Sequence, residues 1–242
     1  RRAAARHSFS RNSRVAALFL AVTLFAFARP ANGAAASLFN SKERPASAAD
    51  AWHVKIQPLW QRVLQLEKER RSFTANGDNM SPGDAMTWRN LVRAVGEIPK
   101  LEALRMVNGY FNQWPPKSDE SAWGSQEYWA SPREFFTKRG GDCEDYAIAK
   151  YFALRYLKVG AERMRIVIVR MKDEKGETMA QLHAVLAVHN GDMWFILDNN
   201  ARPKDNIFPH RMYKGRVIPI YSINEKGGWV HGTPEKPARV GD

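Results

Sequence analysis

The chain has 242 residues, 44% of them hydrophobic, with a formal net charge of +12. The length allows one ample hydrophobic core or two small ones. The basicity is uneven: residues 1–33 hold six arginines and no acids, so the remainder carries +6 without a long basic run, and no nucleic-acid partner is expected.

Arg1, Arg2, Arg6, Arg11 and Arg14 precede an apolar run from Val15 to Ala28, followed by the small-residue stretch 30–36. This is the three-part pattern of a secretory signal, and it predicts export through residues 1–36. The apolar run is short beside the roughly 20 residues that a membrane span needs; an uncleaved anchor is the competing reading. Residues 37–50, rich in Ala, Ser and charge, are expected to form a flexible leader, residues 51–232 one domain, and 233–242 a flexible tail.

From Ala51 to Phe73, Trp52, Ile56, Leu59, Trp60, Val63, Leu64 and Leu66 recur at near-helical spacing, despite Pro58, and predict a helix with a core-facing side. Residues 74–83 form a loop rich in Asn, Gly and Pro. Helices are predicted again over 84–95 and 100–111. The segment 112–141 is dense in aromatics; Trp114, Trp123, Tyr128, Trp129, Phe135 and Phe136 are too many for an exposed loop, so part of it must pack. Within it, Ser131-Pro132-Arg133-Glu134 has the capping serine, early proline and third-position glutamate of a helix start.

Cys143, the single cysteine, follows Gly140-Gly141-Asp142 and heads a predicted helix over roughly 143–157. A lone cysteine in an exported chain cannot close an internal disulfide, so it is either a small buried apolar group or a free thiol. A helix start lends a thiol anionic character, through unpaired backbone N–H groups and the helix dipole. The pattern then changes to that of strands: 165–171, a turn at 173–176, a strand over 183–188, the turn Asn190-Gly191-Asp192, and a strand over 193–198. With that turn, residues whose numbers sum to about 381 or 382 should face each other, which makes His183 and Asp198 cross-strand neighbours at one end of the sheet. A further strand is predicted over 217–222. A helix start bearing Cys143 against that sheet end would assemble a thiol, an imidazole to take its proton, and a carboxylate to orient the imidazole. A structural role for His183 is the plainer alternative.

Trp123-Gly124, Tyr128-Trp129-Ala130-Ser131-Pro132, the run from Gly140 to Arg155, the strand from Arg165 to Val169, His183-Ala184-Val185-Leu186 and Leu197-Asp198-Asn199 resemble the bacterial transglutaminase-like cysteine proteinases, in particular their LapG-like periplasmic type. The resemblance spans about residues 84–230. It implies an α+β fold with the papain-like transglutaminase core, N-terminal helices and an antiparallel sheet. It also implies Cys143 as nucleophile, His183 as base and Asp198 as orienting acid, and a calcium ion held by Asp142 and Glu144 with Asp145 beside them. Three carboxylates around a thiol oppose its ionisation, and a hard cation would neutralise them; a solvated first helical turn is the alternative reading. Members of this type cut the N-terminal region of large surface adhesins, releasing cells from biofilm, and are restrained by an inner-membrane cyclic di-GMP receptor. Ala184 stands where the family more often has a bulkier residue, which bears on substrate preference more than on the base. The same core also supports amide hydrolysis or acyl transfer in the envelope, and a non-enzymatic calcium-binding module is the remaining alternative.

Overall fold

The computed structural model describes residues 37–74, 76–78, 80–95 and 100–232. The predicted export segment 1–36 and tail 233–242 lie outside the described residues.

Among the described residues, six helices and a seven-stranded antiparallel sheet make up an α+β architecture. Helix α1 (Ala51–Glu69) buries Ile56, Trp60 and Val63, and continues through Pro58, whose ring nitrogen cannot donate to the preceding turn. Helices α2 (Pro82–Val95) and α3 (Lys100–Asn112) follow. A short helix α4 (Asp119–Trp123), which periodicity does not predict, starts at Ser118, whose side chain accepts from Ser121 N. Helix α5 (Pro132–Lys138) begins with the full capping box expected from Ser131 and Glu134. Helix α6 (Cys143–Tyr156) is buried along nearly its whole length, against α3, α5 and the middle of the sheet.

The aromatic segment packs as its composition requires. Trp114, Trp129, Phe135 and Phe136 are buried, and Trp123 stacks on Tyr128 with ring centroids 4.4 Å apart. Each such side chain contributes about 1.5–3 kcal/mol by leaving water. Arg62 of α1 ties the segment down, donating to the Trp129 carbonyl at 3.0 Å and pairing with Glu134 at 2.6 Å.

The sheet runs β1-β7-β6-β2-β3-β4-β5. Strands β2 (Met164–Lys172), β3 (Thr178–His189), β4 (Trp194–Leu197) and β6 (Val217–Asn224) contain or closely match the predicted runs. Strands β1 (Glu43–Pro45), β5 (Phe208–Pro209) and β7 (Gly227–His231) are additions, too short or too glycine-rich to show a period. The β3–β4 register sets Leu186 opposite Leu197 and His189 opposite Trp194, shifted from the expected one, so Asp198 lies just past the end of β4 and not in a ladder pair with His183.

The segment 37–50, expected to be a flexible leader, is instead partly built into the fold. Its β1 pairs with β7, and Leu38 and Phe39 join Val167, Val169, Val185 and Trp194 in a second apolar cluster, separate from the main helix–sheet core. Two large apolar side chains in a short polar stretch have no periodicity to reveal them.

Candidate active site

Cys143 opens α6, one residue after two glycines that the local packing demands. Gly140 has φ +134°, and a side chain there would strike the Pro115 carbonyl; a side chain on Gly141 would strike the Asp145 carboxylate. The chain can therefore turn tightly into the helix and place the thiol at its N-terminus. Cys143 lines a cleft of about 230 Å³ together with His183 and Ala184 of β3, Trp52 and Lys55 of α1, and Asp142. A larger hollow of about 470 Å³ between Asp84, Trp114, Lys117 and Arg139 contains neither Cys143 nor His183, so the smaller one is the cleft that both side chains line.

His183 Nε2 and Asp198 Oδ1 are 2.8 Å apart, both side chains almost fully buried. Pairing with a carboxylate puts the ring proton on Nε2 and leaves Nδ1 with a lone pair. The expected neighbours are thus joined despite the shifted register, because Asp198 reaches diagonally toward His183 from beyond the ladder. Asp198 Oδ1 also accepts from Asn200 N at 2.8 Å, and Oδ2 from the Tyr213 hydroxyl at 2.8 Å. Burial alone would raise the Asp198 carboxyl, but the hydrogen bonds and the adjacent imidazole outweigh it and hold the group below its ordinary value. From α3, Asn112 and Asn108 donate to the Asp198 carbonyl at 2.8 and 3.4 Å and fix the backbone of this turn. Tyr213, Asn108 and Asn112 carry no sequence signal that would connect them to Asp198.

The thiol itself donates to Glu144 Oε2 at 3.1 Å rather than to His183. Burial, and next the charge of Glu144, push the Cys143 thiol well above its ordinary value, opposing the helix-start effect. The electrostatic part of that opposition comes from a knot of acids. One carboxylate oxygen from each of Asp119, Asp142 and Glu144 lies within 4.8 Å of the others. Burial raises all three carboxyls, and mutual repulsion adds to the rise at Asp142. Asp119, the first residue of α4, is the member that sequence reasoning missed; it lies far upstream, in the aromatic segment. Its Oδ2 accepts from Tyr128 N at 2.6 Å, while its Oδ1, like Oδ1 of Asp142, is buried without a hydrogen-bond partner.

Asp145 is not part of that group of three. Its Oδ1 accepts from Ala130 N at 2.7 Å, tying α6 to the α5 entry, and its Oδ2 is buried without a partner. The arrangement suits a hard cation. Calcium binds oxygens at about 2.3–2.6 Å, so oxygens sharing one ion lie no more than about 5 Å apart. Unpartnered buried carboxylate oxygens are the groups such an ion would satisfy.

The family model for bacterial transglutaminase-like cysteine proteinases matches residues 87–233, more than half of the chain. Three solved structures of Legionella pneumophila LapG are similar to it. The calcium-bound form is 29% identical, covers 72% of this chain and 91% of its own, and superimposes with a TM-score of 0.52. A second structure is 31% identical over 69% of this chain and 87% of its own, with a TM-score of 0.51. The EGTA-treated form is 31% identical over 71% and 86%, with a TM-score of 0.52. None of the curated proteins compared matches the chain. By the match to the family model, and by its likeness to LapG over most of the described fold, the chain belongs to the bacterial transglutaminase-like cysteine proteinases.

Proposed function

We propose that the protein is a calcium-dependent periplasmic cysteine endopeptidase that acts through Cys143, His183 and Asp198 on the N-terminal region of a large surface adhesin. The observation that carries the chemistry is the 2.8 Å His183–Asp198 pair, whose imidazole lines the same cleft as the single cysteine.

In this reading Nδ1 of His183 takes the thiol proton, and Sγ of Cys143 attacks the carbonyl carbon of the scissile peptide bond. The C–N bond breaks as the imidazolium returns the proton to the leaving amine. Water, deprotonated by the same imidazole, then hydrolyses the thioester and restores the thiol. Asp198 keeps the ring in the tautomer this requires and stabilises the imidazolium.

The likeness to calcium-bound LapG supports calcium as the cation at Asp119, Asp142 and Glu144. When bound, it supplies positive charge that neutralises carboxylates otherwise hostile to a thiolate. Those residues hold and orient the start of α6. Export through residues 1–36 belongs to the same proposal and rests on the basic start, apolar run and small-residue stretch of that segment; the adhesin substrate and restraint by an inner-membrane cyclic di-GMP receptor rest on the LapG-like motifs.

The test is cleavage of a recombinant adhesin N-terminal fragment in calcium buffer. Wild-type protein should produce two discrete fragments, and Cys143→Ala none. Cleavage by purified Cys143→Ala would end the cysteine protease reading, and an intact fragment beside active wild-type turnover of other peptides would remove the adhesin.

A further inference from the structure

Asp198 commits each carboxylate oxygen to a separate task. Oδ1 faces His183 and Asn200, while Oδ2 receives the hydroxyl of Tyr213. Tyr213 ends a short 3-10 turn (His210–Tyr213) that is suspended from β4 through the β4–β5 pairing, so the chain leaving the sheet near Asp198 returns to it fifteen residues later. The tyrosine ring is wedged edge-on between Phe39 and Phe208, with centroids 6.2 and 6.0 Å away. Phe39 is fixed in turn by its backbone N–H, which donates to His210 Nδ1 at 2.9 Å. Burial and the nearby carboxylate raise the Tyr213 hydroxyl above its ordinary value, so it remains a donor.

We propose that Tyr213 is a positioning residue for the reaction: by holding Oδ2 of Asp198 it prevents the carboxylate from rotating and keeps Oδ1 aimed at His183. This rests on the reading of Cys143, His183 and Asp198 as the reacting unit. A carboxylate free to turn about its Cβ–Cγ bond would offer the imidazole a varying partner, and the tautomer with its lone pair on Nδ1 would lose its fixed orientation. The segment 37–40 that seats Tyr213 thereby becomes part of the support of the site, which gives those residues a role beyond covering the sheet.

The experiment uses the single cysteine as its own reporter. Labelling of Cys143 by iodoacetamide is followed by intact-mass spectrometry in calcium buffer, for wild type, Tyr213→Phe, Asp198→Ala and the double variant, with thermal unfolding of each. Tyr213→Phe removes only the hydroxyl and should slow labelling about tenfold, the scale of one charge-assisted hydrogen bond, while unfolding within a few degrees of wild type. In the Asp198→Ala background the same change should have no further effect, because the hydroxyl acts through that carboxylate. Should Asp198→Ala fail to fold, Asp198→Leu, which likewise leaves the hydroxyl no acceptor, takes its place in the cycle. Labelling of Tyr213→Phe at the wild-type rate, or an equal loss in both backgrounds, overturns the assignment. His183→Ala is the control for the underlying reading: if it labels as fast as wild type, the reacting unit itself is wrong, whereas a slow His183→Ala beside a fast Tyr213→Phe removes Tyr213 alone.

Discussion

The thiol of Cys143 donates to Oε2 of Glu144, the next residue along the helix, at 3.1 Å, and the carboxylate of that same residue belongs to the acidic group with Asp119 and Asp142. One side chain therefore touches both the candidate nucleophile and the candidate cation site. After burial, the charge of that carboxylate is the largest cause that raises the thiol.

Metal removal should consequently act on catalysis. EGTA should abolish cleavage, and calcium should restore it better than magnesium, which is smaller and stricter in geometry. Asp142→Ala and Glu144→Ala should imitate the chelator although neither touches the scissile bond. Normal cleavage by both variants, with no calcium binding detected by calorimetry at millimolar concentration, would reduce the acids to a solvated helix start.

Asp119 separates the three-residue group from the sequence-based set. Asp119→Ala should weaken calcium binding by at least about tenfold, because it removes one of the three carboxylates whose oxygens lie within reach of one ion. Titration calorimetry reads this directly, and an unchanged affinity would place the ion elsewhere among the acids around Cys143, with Asp145 the next residue to test.

The His183–Asp198 pair predicts unequal losses. His183→Ala should lower kcat/KM by about a hundredfold or more, the usual worth of a positioned base, whereas Asp198→Asn should retain more activity, since members of such a unit contribute unequally. Wild-type turnover by His183→Ala would remove it from the chemistry.

Lys150 should report on pH. It is fully buried on α6, its ammonium has no hydrogen-bond partner, and burial pushes its pKa down from 10.5 to about 7 against the opposing pull of Asp198. Between about 7 and 10.5 the unfolded chain then binds the proton that the folded chain has released, so this group makes stability rise with pH across that window and costs most below it. Lys150→Met should be more stable than wild type at pH 6, and the difference should shrink toward pH 10. Urea unfolding at several pH values checks this; a constant difference would mean that the lysine is paired and charged throughout.

Much of the scaffold was legible in the residues. The spacing of Ile56, Trp60 and Val63, the capping box at Ser131 and the apolar run from Arg165 set helices and strands by local rules that the packed chain keeps. Cys143, His183 and Asp198 stood out because turns and glycines bracket them. The His183–Asp198 contact was foreseen, but through a ladder pairing that the β3–β4 register does not make. Asp119, Tyr213 and Phe39 escaped notice for a different reason: each acts across a long stretch of chain, through a contact that only tertiary packing creates.

The most direct measurement of the central claim is the rate at which iodoacetamide labels Cys143, compared between wild type in calcium, wild type in EGTA, and His183→Ala in calcium. Every labelled molecule reports on this site, since the chain has no other cysteine. If His183 activates the thiol within a cation-neutralised site, wild type in calcium should react at least about tenfold faster than either of the others. Equal rates in all three would show a thiol that neither the imidazole nor the metal controls, and would contradict the account.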